Sequence, residues 1–223
     1  MPKQKDPTVA VELLRAAEGV FVERGFASAK VEEITARAGV SKGAFYLHFD
    51  SKEDAFRRIV EARFAKMADL VESELTAPPR GLDELPEAWL AKDLEIFEFV
   101  WENRALFRMC LEGGASADFA YVVDAFAERI RGTVLGLLRR GVEMGLYRRD
   151  LDLELTALVM AGAYDRVARA LVRAVNKPDL PAMLAEVQRL LVRSIATPDL
   201  LAIVDPPVTH RRPSKRPSRR KTG

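Results

Sequence analysis

The sequence predicts an all-α protein, because apolar residues recur at spacings of three and four in successive segments of the chain. Glycines and prolines separate these segments, most clearly at Gly39 and at Pro78–Gly81. With 223 residues, of which 48% are apolar, the chain has enough material for a substantial buried core. We expect a three-helix domain at residues 1–50, a larger helical domain at 51–205 and a disordered basic tail at 206–223.

The first helix is expected to run from Pro7 to near Gly25. Asp6 is a typical N-cap, and proline suits the first helical position. Apolar residues then follow at helical intervals and form a stripe that faces the core: Ala10, Leu13, Leu14, Ala17 and Phe21. This helix is expected to support the two that follow it.

Residues 31–49 have the pattern of two short helices joined at a glycine. Three apolar residues share one face of the first helix, and Gly39 ends it because glycine tolerates the left-handed conformation of a helix terminus. Ser41 is a suitable N-cap for the second helix, in which Phe45 and Phe49 face inward. The segment therefore predicts a helix-turn-helix.

The second of these helices is expected to present small and polar residues outward: Ser41, Lys42, Gly43, Ala44, Tyr46 and His48. Its lysine, its neutral donors and the amides of its N-terminus suit phosphate oxygens. Gly43 and Ala44 let the backbone approach the floor of a major groove, where Ala44 would meet a thymine methyl. The alternative is a tight corner in a helical core, since helix pairs joined by a glycine-containing turn are common.

A longer helix is expected to begin after Ser51 and to continue to about Leu75. The sequence from Ser51 to Asp54 matches a capping box, and apolar residues for burial recur along the segment that follows.

These segments resemble the TetR family of bacterial transcriptional regulators. The matching segments have the family's spacing: Gly25–Phe26, Val31, Glu33–Ile34, Ala38–Gly43, Phe45–Tyr46, His48–Phe49 and Ser51–Glu53. The resemblance implies a dimeric, all-helical DNA-binding protein, usually a repressor that a small molecule releases. Residues 1–50 would then be the DNA-binding domain, and residues 51–205 would bind the effector and form the dimer.

Two lysines at the edges of the resembling region join the candidate DNA contacts. Lys30 stands where the family usually has a capping Ser or Thr, and a lysine there neither caps the helix nor suits its dipole. We expect Lys30 to contact the DNA backbone and Ser28 to supply the cap. Lys52, at the start of the helix that joins the two domains, is placed to meet a phosphate. Tilting that helix would change the distance between the two recognition helices of a dimer.

The central segments are expected to form three helices, from Asp83 to about Val100, from Leu106 to Leu111 and from Ser116 to near Gly145. Aromatic residues are dense in them, and the resemblance implies a pocket for a small apolar or aromatic effector. The candidate lining residues are Trp89, Phe97, Trp101, Phe107 and Phe126. The alternative is that aromatic residues at helical spacing are ordinary core.

The last helical pair is expected at residues 150–175 and 181–195. Each helix carries an apolar stripe, and the stripes include Leu155, Leu158, Val159, Leu171, Leu184, Leu190 and Ile195. The resemblance implies that the two helices pack against their copies in a dimer, where Gly162 would permit close approach. The alternative is burial within one chain.

The tail at 206–223 holds seven Lys or Arg residues, no acidic residue and four prolines, so we expect it to be disordered. The remaining 28 basic and 33 acidic residues leave the body mildly acidic. Two roles stay open for the tail: it adds sequence-independent affinity for nucleic acid, or it keeps the protein soluble.

Composition argues against an enzyme and against a membrane protein. The chain has two histidines, His48 and His210, a single cysteine, Cys110, no metal-ligand spacing and no glycine-rich phosphate loop. No uninterrupted apolar stretch of about 18 residues occurs. One cysteine excludes an intrachain disulfide and favours a reducing compartment. We expect a cytoplasmic protein without a cofactor.

The leading functional prediction is a ligand-responsive transcriptional regulator, most often a repressor in this family, that binds a palindromic operator as a homodimer. The alternative is an architectural or partner-binding protein that uses the same scaffold without an effector. A fully packed central bundle would favour the alternative.

Overall fold

A computed structural model describes residues 6–76, 81–112 and 116–204, with the side chains of 112 and 116–118 excepted. These residues form ten α-helices and no strand. The helices are α1 Pro7–Arg24, α2 Val31–Ala38, α3 Lys42–His48, α4 Lys52–Glu72, α5 Leu85–Glu102, α6 Arg104–Glu112, α7 Ser116–Glu143, α8 Leu153–Arg173, α9 Leu180–Ile195 and α10 Pro198–Val204. The all-α prediction is confirmed.

The helix ends follow the signals in the sequence. The Asp6 carboxylate accepts a hydrogen bond from the Thr8 amide at 2.9 Å, and Ser51 accepts one from the Asp54 amide at 3.2 Å. Gly25 and Gly39 end α1 and α2 with φ of 77° and 68°, in the half of backbone space that side chains disfavour. The first three helices therefore begin and end within two residues of the predicted positions, and α4 ends three residues before the predicted Leu75.

Helix α4 belongs to both halves of the molecule. Near its start, Phe56 packs edge-on against Phe21 of α1 at 5.1 Å between ring centroids. Two turns later, Phe64 packs against Phe107 of α6 at 5.2 Å and Phe126 of α7 at 4.9 Å. The buried residues of the N-terminal helices and of the central helices consequently form one continuous cluster.

Helix α10 was not predicted. Pro198 occupies a favourable position at its start, and Leu200 is buried against Leu85, Leu146 and Val192. The expected break at Gly113–Gly114 and the tail at 206–223 lie outside the described residues, as do Pro78, Pro79 and Arg80 of the expected break at Pro78–Gly81. Among the described helices, none combines the length and hydropathy that crossing a membrane requires.

Candidate DNA-binding surface and ligand cavity

Helix α3 packs against the core through two aromatic residues and is capped at its N-terminus. Phe45 and Phe49 are both buried, and the Ser41 hydroxyl accepts a hydrogen bond from the Ala44 amide at 3.2 Å. Packing on one side and a cap at one end fix the rotation of this short helix. Its opposite side is therefore held in a defined orientation toward solvent.

The solvent-facing side of α3 begins with residues that have little or no side chain. Ser41, Lys42 and Gly43 are exposed, Ala44 is half-buried, and Tyr46 keeps 49% of its surface exposed. A Cβ added at Gly43 would meet only the Ser41 hydroxyl oxygen, at 3.8 Å. Five of the eight candidate DNA contacts thus share one accessible surface, which we call the α3 surface (residues 41–44 and Tyr46).

The expectation that His48 faces outward was wrong. Its side chain is only 8% exposed, and its ring lies 6.3 Å from that of Phe49. His48 follows Phe45 by three positions, so the helical repeat places it beside the buried phenylalanines rather than beside Tyr46. It is a packing residue of the domain in this structure.

Lys52 was expected to meet a DNA phosphate, and the structure gives its ammonium group a different set of partners. Its Nζ donates to the backbone carbonyls of Phe26, Ala27 and Ala29 at 3.0, 3.1 and 3.2 Å. It also lies 5.0 Å from the centre of the Phe26 ring. Lys52 therefore joins the start of α4 to the loop between α1 and α2.

Lys30 is exposed, and no capping bond from Ser28 is found among the described residues, whereas Glu33 makes one half of a capping box. The Glu33 carboxylate accepts a hydrogen bond from the Lys30 amide at 3.2 Å, while the Lys30 side chain makes no capping bond. A glutamate three residues into a helix satisfies the N-cap amide in this way. The Lys30 ammonium group takes no part in capping α2.

Lys42 forms an ion pair with Glu32 of α2, with 2.5 Å between Nζ and Oε1. This contact lowers the pKa of Glu32 and raises the pKa of Lys42, because each charge favours the other's ionised form. Both side chains are more than half exposed, so the pair contributes little to stability. A phosphate can therefore compete for Lys42 at small cost.

A carboxylate at the start of α4 is buried among basic groups. Burial alone would raise the pKa of Asp54, but hydrogen bonds from Arg58, from the Asp50 amide and from Arg57 lower it below its usual value. The charged carboxylate also suits the positive end of the α4 dipole. These contacts stiffen the junction between α3 and α4.

Three further ion pairs connect α4 to its neighbours. Arg63 donates to both carboxylate oxygens of Glu18 on α1, at 2.7 and 2.9 Å for its Nη2 atom. Arg129 of α7 pairs with Asp69 and Glu72 near the other end of α4, at 3.0 and 2.5 Å. The helix is thus fixed to α1 near its middle and to α7 near its C-terminal end.

A cavity of about 260 Å³ lies between α5, α7, α8 and α9 and is lined mainly by apolar side chains. Trp89 and Phe97, two of the five aromatic candidates, line it. Val71 and Glu74, at the end of α4 and in the turn after it, also reach its wall. The cavity is therefore in contact with the helix that carries the N-terminal domain.

Three of the five aromatic candidates do not line this cavity. Phe107 and Phe126 pack against Phe64 in the core, and the Trp101 ring lies 4.1 Å from the guanidinium carbon of Arg104. Helical spacing marks these residues as inward-facing but does not say which neighbour each will meet. The alternative of ordinary core holds for Phe107 and Phe126.

The sequence pattern does not reveal the polar residues of the cavity. Asp93 of α5 accepts hydrogen bonds from the Tyr164 hydroxyl of α8 and from the Gln188 amide of α9, both at 2.7 Å and both at Oδ2. Burial raises the pKa of Asp93, and the nearby Glu74 raises it further, while the two hydrogen bonds act in the opposite direction. Tyr164 and Gln188 follow Asp93 by 71 and 95 positions in the chain, so no local sequence pattern reveals these contacts.

The apolar stripes of α8 and α9 are divided between the core and the surface. Leu171, Leu184 and Ile195 are buried within the chain. Leu155, Leu158 and Val159 of α8 and Leu190 of α9 are each more than half exposed, and Gly162 is exposed beside them. We call these five residues the α8–α9 face.

Comparison with known proteins agrees with this architecture. The family model for bacterial regulatory proteins of the tetR family matches residues 13–59, which span α1 to the first turns of α4. The transcriptional repressor KstR2 of Mycobacterium tuberculosis is 32% identical over 149 residues, which cover 65% of this chain and 72% of that protein. The chain belongs to the TetR family.

Solved structures of TetR-family members share the fold over most of the chain. SmeT, the repressor of a multidrug efflux pump in Stenotrophomonas maltophilia, superimposes in its triclosan complex with a TM-score of 0.71 and 23% identity, over 86% of this chain and 94% of SmeT. FadR of Bacillus subtilis in complex with stearoyl-CoA gives a TM-score of 0.65 and 22% identity, over 82% and 97%. The ten helices described above are therefore a TetR-family fold.

Proposed function

We propose that this TetR-family protein is a transcriptional repressor that binds a palindromic operator as a homodimer and leaves it when a small apolar ligand occupies the cavity. The α3 surface carries the proposal. It is a short, rotationally fixed helix start with a lysine, a hydroxyl group and almost no side-chain bulk, and these properties suit insertion into a major groove.

The proposed DNA contacts are the α3 surface together with Lys30. Lys42 and Lys30 would neutralise phosphates, and Tyr46 would donate to one. Ala44 would lie against a base edge, where its methyl group suits a thymine. His48 and Lys52 are not included, because the protein itself uses both side chains.

The proposed dimer forms through the α8–α9 face. Exposed leucines and valines at spacings of three and four give one continuous apolar strip on α8, and burying this strip against a second copy would remove it from water. Dimerisation places two α3 helices on one duplex. Since a single short helix reads few base pairs, the second half-site supplies the selectivity that a regulator needs.

The proposed coupling runs through α4. A ligand in the cavity would contact Val71 and Glu74 and shift the end of α4, and the Glu18–Arg63 pair would carry the N-terminal domain along with it. Release of DNA follows only if the ligand binds the shifted arrangement more tightly than the DNA-bound one.

A cavity of this size suits a compact ligand. Ligand pockets are typically about 300–1,000 Å³, and this one lies near the lower limit. A molecule of the size of triclosan therefore fits better than a long-chain acyl-CoA. The cavity also argues against the alternative of an architectural protein without an effector, which predicts a fully packed bundle.

Selection from a random duplex pool tests the DNA-binding proposal. The purified protein should enrich duplexes with two inverted half-sites, and fluorescence anisotropy should then give a lower Kd for these duplexes than for scrambled ones. Triclosan and stearoyl-CoA should next be titrated against the selected complex. Enrichment of single, non-palindromic sites, or no enrichment at all, would overturn the proposal.

A further inference from the structure

The cavity has one polar position in an otherwise apolar wall. Asp93, Tyr164 and Gln188 come from three helices and meet at a single carboxylate oxygen, Oδ2. Among the described residues, none donates a hydrogen bond to the other oxygen, Oδ1, although Asp93 lines the cavity. One carboxylate oxygen is thus available to a bound molecule.

The charge at this position is not balanced by the residues that the structure describes around it. Both donors to Asp93 are neutral, and the cations in the cavity wall have other partners. Lys92 pairs with Glu95 at 2.5 Å, and Arg140 donates to the Leu75 carbonyl at 2.8 Å. The Asp93 carboxylate, which receives hydrogen bonds only from neutral groups among the described residues, therefore favours a cation over an anion at this position.

Aromatic rings surround the same space. Trp89, Phe97, Tyr147 and Tyr164 all line the cavity. The faces of such rings attract cations through their quadrupoles, and they offer apolar area to the rest of a ligand. A molecule with a positive head and a compact hydrocarbon or aromatic body would use both properties.

We propose that the effector of this protein is an apolar amine whose ammonium group binds Asp93 while its hydrocarbon portion fills the space beside Trp89 and Phe97. The inference rests on the proposed function, since it names the ligand class of that cavity. An ammonium beside Asp93 would form a charge-assisted hydrogen bond to Oδ1. It would also compensate the carboxylate charge that burial otherwise penalises.

The raised pKa of Asp93 agrees with a buried carboxylate whose two described hydrogen-bond donors are both neutral. Alcohols would form a neutral hydrogen bond at the same position, and carboxylates would be repelled by Asp93. The cavity should therefore rank ligands of equal tail length by their head group, with amines first, alcohols second and carboxylates last.

Titration with octylamine, octanol and octanoate tests this ranking. Calorimetry on the full chain, together with its tryptophan fluorescence, should show octylamine binding roughly tenfold more tightly than octanol, the difference expected of a charge-assisted over a neutral hydrogen bond. Octanoate should bind most weakly. Equal binding of the three compounds, tighter binding of octanol or octanoate, or no binding of octylamine would overturn the inference.

The variant Asp93→Asn should abolish the preference for octylamine over octanol while keeping the shape of the cavity. Asp165→Asn is the matched control, because Asp165 lies on α8 with its side chain more than half exposed and paired with Arg169. The control should keep the preference. If Asp93→Asn is poorly folded, the ranking of the three compounds by the unchanged protein still decides the inference.

The two proposals fail in different ways. Operator binding and its release by octylamine are measured on the selected duplex, whereas the head-group ranking is measured on the protein alone. A protein that binds no duplex but prefers octylamine would contradict the proposed function and support the inference. A protein that binds its operator but releases it for octanoate would contradict only the inference.

Discussion

Replacing Gly43 is expected to change the stability of the protein and its affinity for the operator in opposite directions. A Cβ there has room in the free protein, so Gly43→Ala should stabilise α3 by about 0.5–1 kcal/mol through helix propensity. The same methyl group would stand between the helix backbone and the groove, and operator affinity should fall. Denaturant unfolding and fluorescence anisotropy measure the two effects.

Gly132→Ala is the matched control for this prediction. Gly132 is exposed on α7, and a Cβ there has no neighbour within 4 Å among the described atoms. This variant should gain similar stability without a change in operator affinity. If Gly43→Ala binds the operator as well as Gly132→Ala does, the start of α3 does not lie against the bases.

Replacing Lys52 distinguishes a structural role for this side chain from a contact with a DNA phosphate. Lys52→Met removes the hydrogen bonds to three carbonyls, so we expect a loss of about 1.5–3 kcal/mol in the free energy of unfolding. The salt dependence of operator binding should keep its slope. A slope reduced by about 0.9, with stability unchanged, would instead identify Lys52 as a phosphate contact.

At the residue scale, the sequence predicted best those residues whose role depends only on nearby backbone, such as helix caps and the glycines that end helices. The caps Asp6, Ser41 and Ser51 and the positive-φ glycines Gly25 and Gly39 were all predictable, because each acts on atoms a few positions away. His48 and Lys52 were not, because their partners depend on how the helix rotates and on a loop more than 20 residues distant.

At the scale of elements, α4 is expected to transmit ligand binding through its contact with α1. Arg63→Met should cost about 1 kcal/mol in stability, since it removes a half-buried pair with Glu18. Operator affinity without ligand should change little. The factor by which a ligand weakens operator binding should fall, because α1 would no longer follow α4.

Arg57→Met provides the comparison on the same helix. Arg57 pairs with Asp54 and Glu61, which are both on α4, so its ion pairs with described residues stay within that helix. Anisotropy titrations with and without ligand should show an unchanged ligand effect for this variant. An equally weakened effect in both variants would mean that the Glu18–Arg63 pair has no special part in coupling.

The helices themselves were largely predictable, whereas their contacts were not. Nine of the ten described helices were expected from their apolar spacing and breaks. The aromatic residues illustrate the limit: Phe97 and Phe107 have similar local patterns, yet only Phe97 lines the cavity. Asp93, Tyr164 and Gln188 carry no periodic signal and meet only after α5, α8 and α9 have packed.

At the scale of the whole molecule, the α8–α9 face is expected to hold two chains together. Leu158→Glu places a charge in the centre of the apolar strip, where pairing would bury it without a partner. The variant should sediment as a monomer and lose operator binding, with its helical content unchanged. Val175→Glu is the control, since Val175 is 91% exposed and lies outside this face. A dimeric Leu158→Glu variant would place the interface elsewhere.

Hydroxyl-radical footprinting on the selected operator tests the central claim most directly. Two copies of the α3 surface on one duplex should protect two backbone segments about one helical turn apart, related by the symmetry of the site. Sedimentation of the same complex should give two chains for each duplex. A single protected segment bound by one chain, or protection that Gly43→Ala and Leu158→Glu leave intact, would contradict the account.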